Sequence, residues 1–303
     1  MSNSKRILIL GASSYVGGHL FRSLGSSRAL ATYNSTPING GVRYNSLNMK
    51  LADIIDQPDD FSHAVILLGD TQPDSCFSDK DRSDALNIES VISVFGQLVA
   101  LNIKPVFTSS EFVFDGDKGN YIETDGAGPI LLYGHQKLAA EKYLEGMYIP
   151  YSILRLAKVF GETLGDNTLF TGWLNNIKPD SNLKCATDQA FSPVFVGDVV
   201  KALNAAVDQD IEGTFHLSGN QRFTRLELLE MLLIQMKAFM EKSDINIERC
   251  SIHDFNLPEK RPLDVSMIAD KLVAETGLQF VDIEQKCSQI AAKHFNNNSG
   301  HIT

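Results

Sequence analysis

The chain has 303 residues, with 27 basic against 37 acidic side chains and a formal charge of −10. Hydrophobic residues make up 43% and charged residues 21%, which provides core for one large α/β unit or about two domains and excludes disorder as the main state. The acidic balance, with no local basic patch, argues against a nucleic-acid partner, and no apolar stretch approaches the ~20 residues that a membrane span needs.

Short apolar runs alternate with amphipathic stretches through the first half. Arg6–Leu10 (RILIL) is continuously apolar and suits a strand buried on both faces. A helix is predicted over Gly17–Leu24, and strands over Arg28–Thr32, Ala64–Leu68 and Val106–Ser109, with a helix over Ala85–Leu101 between the last two. This alternation predicts an α/β fold with a Rossmann-type, doubly wound parallel sheet, whose strand C-termini share one ligand-binding edge. After Gly161 the rhythm loosens. Phe195–Val200 reads as strand-like and leads into a helix through Val207, and Thr214–Leu217 reads as a short strand. Thr224 with Glu227 forms a capping-box pattern ahead of a helix whose Leu226, Leu229, Leu232, Leu233 and Met236 recur at core spacing. The polar tail from Phe295 is expected to fray. Residues 1–160 are therefore assigned to a nucleotide-binding part whose core takes in 190–217, and 161–303 mainly to a smaller C-terminal α/β part that binds substrate.

Directly after the first strand comes GASSYVGG, Gly11 to Gly18. A dinucleotide pyrophosphate needs a tight turn at Gly11, close backbone approach, and a helix that starts near the strand at Gly17. Ser13, Ser14, Tyr15 and Val16 complete this cofactor turn, and the Ser14 hydroxyl is available to phosphate. The second strand ends in LATYNSTP, with no acid to grip ribose hydroxyls or repel a 2′-phosphate. Asn34 and Ser35 stand there instead, and Arg43 is the nearest downstream cation, which favours NADP(H) over NAD(H). Asn48, after the third strand, reads either as an adenine contact or as a turn residue; Leu68 joins the cofactor set at the end of its strand.

YGHQK places Tyr133 and Lys137 four residues apart, on one helix face. A phenol with pKa near 10 is a poor acid–base at neutral pH, and a neighbouring ammonium is expected to lower it. Ser109 and Ser110 close an earlier strand, where a hydroxyl can orient a substrate carbonyl. The cysteines (76, 185, 250, 287) form no CxxC pair and the seven histidines no HExxH or HxH. Reduced thiols, a cytoplasmic location and no metal site are therefore expected.

GASSYVGG, TSSEFVFDG, YGHQKLAAE and KRPLDVSM together resemble the extended short-chain dehydrogenase/reductases, and within them the dTDP-4-dehydrorhamnose reductase branch. That resemblance implies hydride delivery from NAD(P)H to a keto carbon of a nucleotide-linked sugar. Tyr133 would be the proton donor, Lys137 its neighbour holding the nicotinamide ribose, and Ser110 the carbonyl ligand. Asn87 matches a helix asparagine of the family, and Arg261–Pro262 match an RP motif that would put Arg261 on the substrate's diphosphate. Where the branch reads STDYVFDG, this chain has Ser109–Ser110 and Glu111–Phe112. Where it reads RTSWVYG, this chain has RLAKVFG, so Lys158 replaces a sugar-facing tryptophan and is expected to meet a carboxylate or phosphate. Asp188, Gln189, Ser192 and Pro193 lie in a stretch resembling the substrate-side loop. Glu111, Lys158 and Arg261 are thus the substrate-side candidates beside Ser110. Two other activities fit the same resemblance: an NAD(P)-dependent epimerase or dehydratase, and a non-catalytic NADP-binding regulatory subunit like the beta subunit of methionine adenosyltransferase. A homodimer is allowed, but nothing in the sequence selects an interface.

Overall fold

The computed structural model describes residues 5–177, 182–237 and 245–299. The first half contains β1 (Arg6–Leu10), α1 (Tyr15–Leu24), β2 (Ala29–Tyr33), β3 (Gly41–Arg43), β4 (Phe61–Ile66), α2 (Pro73–Ser78), α3 (Lys80–Asp84), α4 (Ser90–Ala100), β5 (Lys104–Ser110), α5 (Leu132–Glu145) and β6 (Ser152–Leu156). Then follow β7 (Val159–Phe160), α6 (Leu169–Leu174), β8 (Asn182–Ala186), β9 (Ala190–Phe191), β10 (Val194–Phe195), α7 (Val196–Asp208), β11 (Gly213–Leu217), β12 (Phe223–Thr224), α8 (Arg225–Met236), β13 (Asn246–Cys250), α9 (Asp270–Thr276) and α10 (Ile283–Ser299).

Seven strands form one sheet in the order β11-β6-β5-β4-β1-β2-β3, and every pairing in it is parallel. Both faces are covered, as such a sheet requires. Along β1, Ile7 and Ile9 pack towards Leu20 of α1 and Leu203 of α7, whereas Leu8 and Leu10 pack towards Val94 of α4 and Leu144 of α5. That two-sided burial is the physical reason RILIL lacks any polar alternation. The sheet takes its last strand, β11, from well beyond Gly161. A third core, built from α6, α8 and α10 with Phe160 and Phe191, holds the smaller α/β part, where β8–β13, β9–β12 and β7–β10 form two-stranded pairs.

Several expected elements shift. The run from Phe195 to Val200 is strand only at its start, and helix begins at Val196. Val199, Leu203, Ala206 and Val207 recur there at helical spacing and are buried, so the side-chain period overrides the β-branched local preference. The predicted helix from Ala85 opens with a π turn over Ala85–Glu89. The tail does not fray at Phe295: α10 continues to Ser299, anchored by buried Cys287, Ile290 and Ala291 and by Phe295 against the third core. The rest of the tail, 300–303, lies outside the described residues. Leu229, Leu232 and Met236 of α8 are buried, and the Thr224–Glu227 capping box forms. No helix among the described residues is long and apolar enough to cross a membrane.

Candidate active site

The C-terminal ends of β1, β4 and β5 share one sheet edge, because all three run parallel. At the end of β1 the chain turns at Gly11, with φ +91°; a Cβ there would stand 2.7 Å from the Leu67 carbonyl oxygen. A Cβ on Gly17 would lie 2.4 Å from the Gly11 carbonyl oxygen, so the first turn of α1 packs on the strand as only glycine allows. Ser13, Ser14, Tyr15 and Val16 lie between these two glycines. The Ser14 hydroxyl oxygen serves as the helix N-cap, accepting from Gly17 N–H at 3.1 Å. It therefore organises the turn, a use that the phosphate expectation did not include. The Tyr15 hydroxyl donates to Asp166 Oδ2 at 2.9 Å and so ties the turn to the smaller part of the molecule. Leu68 is half-buried just beyond β4. Asn34 and Ser35 are exposed after β2, and Arg43 closes β3 in register with Tyr33. Asn48 is exposed in a turn after β3.

Ser110 is the last residue of β5, and Tyr133 and Lys137 lie on the first two turns of α5. The helix presses onto the turn after β5 at Gly134, where a Cβ would sit 2.0 Å from the Phe112 carbonyl oxygen. Its leading amide, Leu132 N–H, donates to Glu259 Oε1 at 2.9 Å, satisfying a helix-end group that would otherwise be orphaned. Ser110, Tyr133 and Lys137 are all buried, at 8%, 5% and 3% exposure. The Lys137 ammonium donates to the Thr108 carbonyl at 3.0 Å and stands 5.9 Å from the centre of the Tyr133 ring and 4.8 Å from that of Phe107. The structure thus brings all three to one place.

Their electrostatics differ from the sequence expectation. Burial pushes the Tyr133 phenol well above its ordinary value, against a smaller lowering by the Ser110 side chain. Burial also lowers the Lys137 ammonium to about 8, opposed by the Glu141 carboxylate. The expected lowering of the phenol by Lys137 is therefore absent. Desolvation outweighs a cation that is itself partly desolvated and directed at Thr108.

A polar network behind this trio had only Asn87 as a sequence signal. Asn87, 1% exposed, accepts from Asp70 N–H at 2.7 Å, donates to Asp70 O at 3.0 Å and donates to Gln136 Oε1 at 2.7 Å. Gln136 Nε2 in turn donates to Ser83 and Asp84 at 2.7 and 2.8 Å. The loop after β4 is thereby fixed to the helix that carries Lys137. One turn further along α5, Glu141 forms a buried ion pair with Arg155 of β6, with Oε2 2.7 Å from Nη2.

On the other wall, Glu111 is buried, and desolvation raises its carboxyl to about 8; its Oε2 accepts from Lys158 N–H at 3.1 Å. Lys158 is solvent-accessible, yet desolvation by the surrounding protein lowers its ammonium, opposed by the Glu111 carboxylate and aided by Arg225. Arg225, absent from the sequence expectation, lies with its guanidinium 5.4 Å from the centre of the Trp173 ring. Arg261 does not present a free fork: it is 8% exposed, ion-paired with Asp74, and donates to Glu259 O at 3.2 Å. Asp188 accepts from Ile252 N–H at 2.7 Å and from the Ser251 hydroxyl, roles internal to the smaller part. Among the described residues, no group of three or more His, Cys, Asp or Glu side chains is placed to hold a metal ion.

The chain is 27% identical over 241 residues to methionine adenosyltransferase 2 subunit beta of Rattus norvegicus, covering 74% of this chain and 70% of the relative. It is 26% identical over 303 residues to dTDP-4-dehydrorhamnose reductase of Aggregatibacter actinomycetemcomitans, covering 95% of this chain and 98% of that protein. Among solved structures, a dTDP-4-dehydrorhamnose reductase of Bacillus anthracis in complex with NADP shares the fold at TM-score 0.77 and 19% identity, over 96% of this chain and 99% of the other. The family model described as "RmlD substrate binding domain" matches residues 5–295, and the chain belongs to that family.

Proposed function

We propose that this protein is a reductase that uses NADP(H), with NAD(H) as the weaker alternative, to reduce a keto group of a nucleotide-linked sugar. The observation that carries the reading is the convergence of Ser110, Tyr133 and Lys137 at the sheet edge that also holds the Gly11 turn. The cradle fits a dinucleotide: the clearances at Gly11 and Gly17 leave no room for a Cβ, and backbone amides at the start of α1 face that edge. Residues 11–17, with Leu68, Asn34, Ser35 and Asn48 around the remainder, form its proposed lining. The absence of an acid after β2, and Arg43 in register beside Tyr33, favour the 2′-phosphate form. When bound, the reduced nicotinamide supplies a hydride to the carbonyl carbon.

The chain's own groups handle the oxygen. Ser110 hydrogen-bonds the carbonyl oxygen and orients it. As negative charge grows there, the Tyr133 phenol gives up its proton to the alkoxide. Its raised pKa suits this direction, because it keeps the donor protonated at neutral pH. Lys137, charged below about 8, would hold the nicotinamide ribose beside the tyrosine. Residues 1–160 with the return at 190–217 form the proposed cofactor part, and most of 161–303 the sugar part, with Glu111 and Lys158 on the sugar side. Since Arg261 is paired with Asp74, a diphosphate role for it would require that pair to open. A cytoplasmic location accords with four free cysteines.

A second reading, a cofactor-binding regulatory subunit, draws support from the relatives named methionine adenosyltransferase 2 subunit beta. One experiment separates the two. Purified protein is given NADPH and a panel of nucleotide-linked 4-keto sugars, and loss of reduced-nicotinamide absorbance is followed. Turnover that falls at least about 100-fold in Tyr133→Phe, with NADPH binding intact, supports the reductase. Tight NADPH binding without turnover on any sugar supports the regulatory subunit. Product formed without net NADPH loss points to an epimerase.

A further inference from the structure

Two cations of the smaller part, Lys158 and Arg225, form no salt bridge among the described residues. Lys158 directly precedes β7, which pairs with β10; Arg225 directly follows β12, which pairs with β9. β9 and β10 are joined by Ser192 and Pro193 alone, so both cations flank one short segment. Val194 N–H donates to Lys158 O at 3.0 Å, and Arg225 N–H to Gln189 O at 2.8 Å, which fixes both backbones to that segment. Against desolvation, the Glu111 carboxyl favours the charged form of Lys158, and Arg225 opposes it to a smaller extent. Glu111, the nearest carboxyl, accepts the Lys158 amide, and desolvation favours its neutral form.

Two neighbouring cations without a salt bridge, one of them stacked on an aromatic face, offer a ligand anion charge-assisted hydrogen bonds. Their position indicates which part of a ligand that is. Lys158 donates its backbone N–H to the carboxyl of Glu111, the residue that follows Ser110, which sets the lysine at the end of β5 that carries the carbonyl-orienting group. In a nucleotide sugar the diphosphate leaves from the anomeric carbon, across the ring from a 4-keto group. An anion beside the reacting carbonyl therefore belongs to the sugar itself. The Trp173 face beneath Arg225 holds the guanidinium in place while leaving its N–H groups free to form a bidentate pair.

Building on the reductase reading, we propose that the sugar carries a carboxylate and that Lys158 and Arg225 bind it. The preference for an acidic over a neutral hexose then resides in these two residues. The test measures binding and needs no turnover. Wild-type protein with saturating NADP+ is titrated calorimetrically with UDP-glucuronic acid and with UDP-glucose, which share the nucleotide and diphosphate and differ at the carboxylate; the dTDP pair is run alongside. We expect the acid to bind about tenfold or more tighter, the scale of a charged hydrogen-bonded pair. Lys158→Gln and Arg225→Gln each remove most of that preference, weakening the acid more than UDP-glucose, and Arg225→Lys, which retains the charge, keeps part of it. Equal affinity for both ligands in the wild type overturns the proposal, as does a preference for the neutral sugar. Equal weakening of both ligands in the Gln variants also overturns it and places the diphosphate at these cations. If the reductase reading fails, keto sugars leave NADPH unoxidised while this binding preference persists, so the two failures are distinguishable.

Discussion

Replacing Lys137 with methionine should make the protein more stable at pH 7 while removing its activity. The side chain is 3% exposed, and burial lowers its ammonium from 10.5 to about 8. At about 1.4 kcal/mol per pKa unit, holding the charge at pH 7 costs the folded state about 3 kcal/mol. Methionine has similar length and no charge to desolvate; it forfeits the hydrogen bond to Thr108 O, worth about 1 kcal/mol. The net expectation is a variant about 2 kcal/mol more stable. The sign reverses with pH. Because the native pKa lies below the unfolded one, the unfolded chain holds more protons between pH 8 and 10.5, and wild-type stability gains on the variant through that window. Urea titrations of both cofactor-free proteins at pH 7 and pH 10 measure the difference, in which shared groups such as Tyr133 largely cancel. NADPH oxidation by the variant should fall about 100-fold or more. A variant less stable than wild type at pH 7, or a stability difference that ignores pH, refutes the reasoning.

Three further outcomes are expected. Gly17→Ala puts a methyl 2.4 Å from Gly11 O; the displaced turn should cost about 1–3 kcal/mol and weaken NADPH binding, read by urea midpoint and fluorescence titration. Arg43→Ala should raise the Kd for NADPH about tenfold and leave NADH unchanged, since only the former offers a 2′-phosphate; equal losses would remove Arg43 from that role. Glu141→Ala strands the Arg155 guanidinium, whose Nη1 already has no partner, in the interior. A loss of about 3–5 kcal/mol is expected in urea unfolding, and Arg155→Met in the same chain should recover much of it.

The sheet was legible because burial on both faces is written as uninterrupted apolar runs: Arg6–Leu10 is read to the residue. Boundaries slipped where local preference and packing period disagree, as at Val196, or where side chains rather than composition hold an end, as at Phe295. Ser110, Tyr133 and Lys137 could be found because helical spacing and a strand end fix them locally. The protonation state of Tyr133 could not, because it depends on how much protein surrounds the phenol, which a spacing of four residues does not encode. Arg261 shows the limit of a motif. Its motif named a diphosphate ligand, yet Asp74, distant in sequence, occupies the guanidinium.

Lys158 and Arg225 divide along the same line. The lysine was visible as a departure inside RLAKVFG, because a short motif holds its neighbours. The arginine heads an amphipathic helix whose leucines explain the whole segment, so nothing in TRLELLE marks it. Its significance arises only when β9 and β12 pair and bring it to the same segment as Lys158, and when Trp173 lies under its guanidinium. A residue whose function is charge complementarity has its signal in partners remote in sequence. When those partners include the substrate, the protein alone shows only cations that form no salt bridge among the described residues, next to a buried carboxyl.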